Sequence, residues 1–271
     1  MKIAAIPRNS SDSPNMTEHD KAILLAVADK LKNRGHSVDI LKEEGCCSLD
    51  SYDAIFHMSR TISVLSRIRP LGEKVTNSVE SVENCSRKNF MQLLSEVGIA
   101  QPTFCITSSN REIPQLEYPM WLKNANGWSS HPKDVQFVTN STEATEALHG
   151  YNTRGHEEVI CCKHTLGDIV KFYGVKERFF HWQYPDPQKS KFGLEKINGA
   201  TSHNPFDENA LRINAQKAAE AIGVEIYGGD AIITKDGEIL IIDINDFPSF
   251  SCCREAASEA ITEHIISKLQ L

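Results

Sequence analysis

The chain has 271 residues, 40% hydrophobic and 24% charged, with 29 basic against 36 acidic side chains and a net charge of −7. That length suits about two domains and a core that needs no disulfide or metal to hold it. The acidic balance excludes a general nucleic-acid binder, which needs a basic face, but leaves room for a few cations around an anionic ligand.

No apolar run approaches the ~20 residues that span a bilayer. Ile3-Ala4-Ala5-Ile6 before Pro7 is shorter than a signal-peptide core of ~7–15 apolar residues. A cytoplasmic protein is expected, with no membrane and no nucleic-acid partner. Six of the eight cysteines are neighbours: Cys46-Cys47, Cys161-Cys162 and Cys252-Cys253. With no Cys-x-x-Cys pair, zinc and dithiol redox chemistry are not expected. Vicinal cysteines on a strand point to opposite faces and read as small buried hydrophobes.

Lys2 to Ile6 reads as a strand, followed by a polar loop from Asn9 to Asn15. Thr17 opens a helix, with Asp20 as a capping-box variant. Ile23, Leu24, Val27 and Leu31 keep helical spacing, and Gly35 stops it. Strands follow at His36–Leu41 and Tyr52–Met58, a helix at Thr61–Ile68 and a short strand at Lys74–Asn77. Alternating strand and helix predicts a parallel sheet.

The pattern changes after Val82. Ser86 to Val97 is a helix, Gln101 to Thr107 is extended, and Met120 to Lys123 is a strand with a polar loop, Asn124 to Lys133, behind it. Val135 to Val138 is a strand, and Ser141 caps the next helix, which accounts for the Asn140-Ser141-Thr142 sequon. Strands run over Val159–Lys163 and Asp168–Lys176. Glu177 to Thr201 reads as an insertion or loop. Asn209 to Ile222 is a long helix closed by Gly223, and Glu255 to Leu269 is the last one.

Between those helices lies Ile226–Thr234, a Lys235-Asp236-Gly237 turn, and Ile239–Asn245, a strong hairpin signal. Asp243 and Asn245 are two apart, so both project from one strand face, and Asp230 on the partner strand can join them. Three oxygen ligands with no His or Cys nearby suit a hard cation such as Mg²⁺. Asp and Asn also commonly end strands. Asp243, however, follows four apolar residues, where an unpaired carboxylate is costly.

Several cations precede this hairpin. Lys123 ends an apolar strand ahead of the polar loop, whose backbone could cradle phosphate. Lys171 sits in the apolar run Asp168–Tyr173, either as an outward residue of an edge strand or facing phosphate. Arg87 and Lys88 open a helix, a position unfavourable to cations unless an anion binds there. No Gly-x-Gly-x-x-Gly or Walker lysine motif occurs, and the ten histidines lack ligand spacing.

This order of elements resembles the ATP-grasp superfamily over nearly the whole chain, in particular ribosomal-protein glutamate ligases and glutathione-synthetase-type ligases. The resemblance implies a parallel α/β domain over 1–80 and a two-lobed grasp unit with antiparallel sheets, its lobes at 81–165 and 166–271. It implies ATP and Mg as cofactors. Asp230, Asp243 and Asn245 match the metal positions. Arg87, Lys123 and Lys171 match nucleotide contacts, and Cys162, Lys163 and His164 fall at the adenine hinge. Asp243-Ile244-Asn245-Asp246-Phe247-Pro248 also resembles inositol polyphosphate kinases of the same superfamily.

The implied reaction is phosphoryl transfer to a carboxylate, then attack by an amine or thiol, with Lys123, Lys171 and Arg254 as catalytic candidates. Arg254 would hold an anionic group of a small-molecule substrate. A small-molecule kinase and a non-catalytic nucleotide-binding module are the alternatives. A homodimer is common among such proteins.

Overall fold

The computed structural model describes residues 1–13, 16–42, 48–111, 116–127, 131–186 and 197–269. Cys46-Cys47 and Trp128-Ser129-Ser130 lie outside the described residues. The architecture is mixed α/β, with one parallel and two antiparallel four-stranded sheets.

The N-terminal unit comprises β1 (Lys2–Ile6), α1 (Thr17–Asn33), β2 (Ser37–Ile40), β3 (Ala54–His57), α2 (Ile62–Ile68) and β4 (Val75–Thr76). Its sheet runs β2-β1-β3-β4, parallel throughout. The near-continuous apolar strands fit a sheet covered on both faces. On one face Ile3, Ala5 and Phe56 pack against Ile23, Val27 and Leu31 of α1. On the other, Ala4, Ile6 and Ile55 meet Val64, Leu65 and Ile68 of α2. The start of α1 differs from the capping box expected there. The Thr17 hydroxyl donates to the Ser13 carbonyl at 3.2 Å, and Asp20 is buried opposite Arg8.

The first lobe follows the short helix α3 (Val79–Asn84) and α4 (Arg87–Glu96). It holds β5 (Phe104–Ser108), β6 (Met120–Asn124), β7 (Val135–Val138), α5 (Ser141–Thr153) and β8 (Glu158–Lys163). The strand order is β5-β8-β6-β7, all antiparallel. Helix α5 covers one face, burying Met120, Leu122 and Cys161. Strand alternation therefore turns Trp121, Lys123 and Cys162 to the other face. Asn140 is the residue that caps α5, accepting from the Glu143 N–H at 3.0 Å, where Ser141 was expected.

The second lobe contains β9 (Asp168–Val175), β10 (Phe179–Gln183), α6 (Glu208–Ile222), β11 (Ile226–Ile233), β12 (Ile239–Asp246) and α7 (Arg254–Lys268). The order is β10-β9-β11-β12, antiparallel. Two expectations are corrected here. The stretch read as an insertion or loop after Glu177 begins with β10, which pairs with β9 from Phe179 to Gln183. That pairing makes β9 an inner strand, so Lys171 does not lie on a sheet edge. Helices α4 and α6 cover one face of this sheet, with Phe90, Leu94, Leu211 and Ala218 against Phe172, Ala231 and Ile241. Helix α7 packs back on α1, so Ile261 and Ile265 belong to the N-terminal core. No helix among the described residues is long and apolar enough to cross a membrane.

Gly229 shows how tightly the β11–β12 hairpin is packed. A Cβ there would lie 2.2 Å from the Asp243 carbonyl oxygen and 2.4 Å from the Phe172 ring. Gly229→Ala is expected to destabilise the fold by about 1–3 kcal/mol, the range for overpacking, seen as a lower urea midpoint at unchanged slope.

Candidate active site

A cleft of about 390 Å³ opens between the two lobes. Strands β11 and β12 supply its acidic floor, with Asp230 and Asp243. Asp230 pairs in register with Asp243, and Gly228 with Asn245. Between Asp230 and Ala231 the register shifts, so Ile242 is an extra residue opposite β11, a β-bulge. The bulge restarts the alternation. Ile241 and Ile244 stay in the core, while Ile242, Asp243 and Asn245 all line the cleft. Without it, simple alternation would not place Ile242 and Asp243 on one side.

The acidic residues meet each other and a cation. The Asn245 amide donates to Asp243 Oδ2 at 2.8 Å. Lys171, paired in register with Asp230, places its Nζ 2.9 Å from Asp230 Oδ1. An ammonium drawn to this carboxylate shows that the group attracts positive charge. The donor set of two carboxylates and one amide oxygen fits a hard cation such as Mg²⁺, and Asp230, Asp243 and Asn245 are the residues that would hold it.

Across the cleft, Lys123 and Trp121 project from β6, and Arg87 from the start of α4. Arg87 Nη1 reaches the Asn124 carbonyl at 3.4 Å. Lys88 is held elsewhere, donating to both carboxylate oxygens of Glu158 at 2.8 Å. The structure thus brings Arg87 to the cleft and ties up Lys88. Gly127, at φ 79°, adds backbone from the polar loop.

The hinge stretch lies along the end of β8. Cys162 and Lys163 line the cleft with Thr165. Burial pushes the Cys162 thiol up, so it acts as a small apolar wall. Lys163 pairs with Glu117. The backbone N–H of Lys163 donates to the Thr103 carbonyl at 2.8 Å, and that of His164 to the Pro119 carbonyl at 3.1 Å. Those two donors are therefore engaged within the protein. The His164 ring turns to Trp121, whose indole N–H donates to Nδ1 at 3.1 Å. Burial lowers the His164 pKa, so the neutral ring carries its proton on Nε2.

A second, polar compartment of about 240 Å³ adjoins the first and shares Arg60, Lys171, Asp230 and Asn245 with it. Its far wall is Arg8, Asp12 and Asp20 of the N-terminal unit. A buried charge cluster of Arg8, Arg60 and Asp246 lines it. Arg60 Nε donates to Asp246 Oδ1 at 2.8 Å, and Arg8 Nη2 to Asp246 Oδ2 at 3.1 Å. Burial would raise the Asp246 pKa, but Arg60 and Arg8 outweigh it and hold the carboxyl below the usual range. Burial pushes the Asp20 carboxyl up, against the pull of Arg8 at 3.6 Å.

Arg254 is not brought to either compartment. It lies in the first turn of α7, its Nη2 3.2 Å from His19 Nδ1. Sequence reasoning had not singled out Arg8, Arg60 or Asp246. One signal was present: Arg8 and Arg60 follow the carboxyl ends of β1 and β3, where open parallel sheets bind ligands.

No family model and no curated protein matches this sequence. Solved structures do match. D-alanine–D-alanine ligase from Bacillus anthracis superposes with a TM-score of 0.69 at 14% identity, covering 100% of this chain and 96% of that one. The same enzyme complexed with ATP gives a TM-score of 0.69 at 13% identity, covering 100% and 99%. Over the full length of this chain the likeness shows a shared fold, the ATP-grasp fold.

Proposed function

We propose that the protein is an ATP- and Mg-dependent carboxylate–amine ligase acting through an acyl phosphate. The observation that carries the reading is the meeting of Asp230, Asp243 and Asn245 with Lys171, Lys123 and Arg87 around one cleft. Opposed hard oxygen ligands and cations suit a metal–triphosphate. When bound, the metal neutralises phosphate charge. The structural neighbour complexed with ATP supports the nucleotide.

In this reading the acceptor occupies the second compartment. Its carboxylate lies toward Arg60 and Lys171, next to the γ-phosphate, and Asp20 and Asp12 face its other end. Each wall carries both signs, Arg8 with Asp12 and Asp20 on one and Arg60 and Lys171 with Asp230 on the other, which suits an acceptor that carries an amine as well as a carboxylate. A carboxylate oxygen attacks the γ-phosphorus and ADP leaves. An amine then attacks the carbonyl carbon, phosphate leaves, and the amine loses a proton. Lys123, Lys171 and Arg87 neutralise the charge that shifts in the first step.

The test is ADP release from the purified protein with Mg–ATP and a pool of amino acids and small amines. A ligase releases ADP and free phosphate together only when acid and amine are both present. A stable phosphorylated product from one co-substrate would overturn the ligase reading in favour of a kinase. In that assay Lys123→Ala is expected to slow turnover by about 10²–10³-fold, or ~2.7–4 kcal/mol in the barrier. Turnover within about threefold of the parent, under ~1 kcal/mol, would remove Lys123 from the machinery.

A further inference from the structure

Cys161-Cys162 follows the strand rule, with its two sulfurs in different cores. Cys252-Cys253 does not lie on a strand. It occupies the turn between β12 and α7, where Phe250 has φ 47° and the Cys253 N–H closes back on the Phe250 carbonyl at 3.0 Å. The turn is anchored by Phe250, fully buried and packed on Tyr173 and Phe179 with ring centroids 5.7 and 6.4 Å apart. Freed from strand alternation, both thiols come to the same side, their sulfurs 3.6 Å apart.

A third ligand comes from β10, 71 residues before Cys252 in the chain. The His181 ring and the two sulfurs present ligand atoms that all lie within 4.8 Å of one another. Two thiolates on one tetrahedral zinc, each at ~2.3 Å, are about 3.8 Å apart, close to the spacing found here. His181 is oriented by stacking on Tyr173, centroids 6.4 Å apart. Cys253 is the N-cap residue of α7, a 15-residue helix. Cys252 is exposed, and His181 and Cys253 are half-buried, so an ion has an entry path.

We propose that His181, Cys252 and Cys253 form a site for one thiophilic divalent cation of the zinc class, with the fourth position open to water. The chemistry separates it from the acidic cleft. Sulfur and imidazole select a soft or borderline metal, and the carboxylate–amide set of the hairpin a hard one. Each thiol that binds releases its proton to solvent. The ion would tie β10 to the turn before α7. Tyr173, which touches the Cys252 side chain, and Ser249 both line the second compartment, so occupancy fixes one of its walls.

The experiment titrates the chelator-treated, fully reduced chain with Co²⁺ and then Zn²⁺. The expected result is one Co²⁺ per chain at this site, with a thiolate charge-transfer band and tetrahedral visible absorption that Zn²⁺ displaces. Cys252→Ser and Cys253→Ser should each weaken the band and lower affinity by about 10–100-fold or more, and His181→Ala should lower affinity while keeping the charge-transfer band. Circular dichroism checks that each variant is folded. Asp243→Ala should leave the band intact, which separates this site from the acidic cleft and from the ligase reading. Absence of the band in reduced, folded protein overturns the proposal. So does a band kept in the Cys252→Ser/Cys253→Ser double variant but lost in Cys46→Ser/Cys47→Ser.

Discussion

Replacing Asp243 with Ala is expected to cut ATP-dependent ADP formation by about 10²–10³-fold, the loss typical of one electrostatic stabiliser, and to leave the protein folded. Asp243 lines the cleft on the face of β12 opposite the core residues Ile241 and Ile244, so its truncation opens no cavity in the interior. It also removes the acceptor of the Asn245 amide, bonded at 2.8 Å, and so loosens a second residue of the proposed cation site. The effect should exceed that of removing Ile242, which lines the same wall without charge. Initial rates at saturating Mg–ATP, with a melting curve beside them, provide the check. An Asp243→Ala protein with parental turnover would remove the hairpin from the chemistry.

Asp246→Ala is expected to act on stability. Its carboxylate is 1% exposed and faces two guanidiniums, Arg60 and Arg8. Removing it leaves both cations buried beside one another without their shared counter-charge, and breaking a buried pair this way typically costs about 3–5 kcal/mol. Because Arg8 follows β1 and Arg60 follows β3, the loss would also weaken the tie between the N-terminal unit and β12, leaving the bonds from Arg8 to the Asp246 and Phe247 carbonyls. Urea denaturation followed by circular dichroism measures it. A midpoint unchanged from the parent would show that the cluster contributes nothing net.

Asp246 itself carries a pH dependence of definite sign. The Asp246 pKa is lowered in the folded state from its ordinary 3.8. The folded state therefore binds fewer protons than the unfolded one, and the stability from this group is present above that value and lost as pH falls through its folded pKa. Glu225 behaves alike. Burial raises its pKa, but His264 and Lys268 outweigh burial and hold it down at about 2, from 4.5. Lys268 Nζ lies 2.8 Å from its carboxylate. Its contribution should fade between pH about 4.5 and about 2. Acid unfolding of Glu225→Gln should be shallower over that window than that of the parent.

Much of the architecture was legible because the periodicities were clean. Ile23, Leu24, Val27 and Leu31 mark one helix face, and Met120 and Leu122 one strand face, and both faces are buried. Strand β10 was hidden because Phe179-Phe180-His181-Trp182-Gln183 does not alternate apolar with polar, and all five residues are half-buried. The capping assignments missed because Ser, Thr, Asp and Asn all cap helices, and which side chain turns inward depends on partners such as Arg8.

The amino-acid sequence by itself determined the parallel unit, the hairpin, and the residue types able to hold a hard cation and phosphate, since these follow from local spacing and side-chain chemistry; the two antiparallel lobes were implied only by the resemblance to ATP-grasp proteins. Only the tertiary structure decided which cation faces the cleft. Arg87 is there because Glu158, 70 residues away from Lys88, takes Lys88. It likewise joined Arg8 and Arg60 to Asp246, and His181 to Cys252 and Cys253. Each of these groupings joins residues far apart in the chain, and electrostatic pairing and ligand geometry depend on distance in space, which local sequence pattern does not carry.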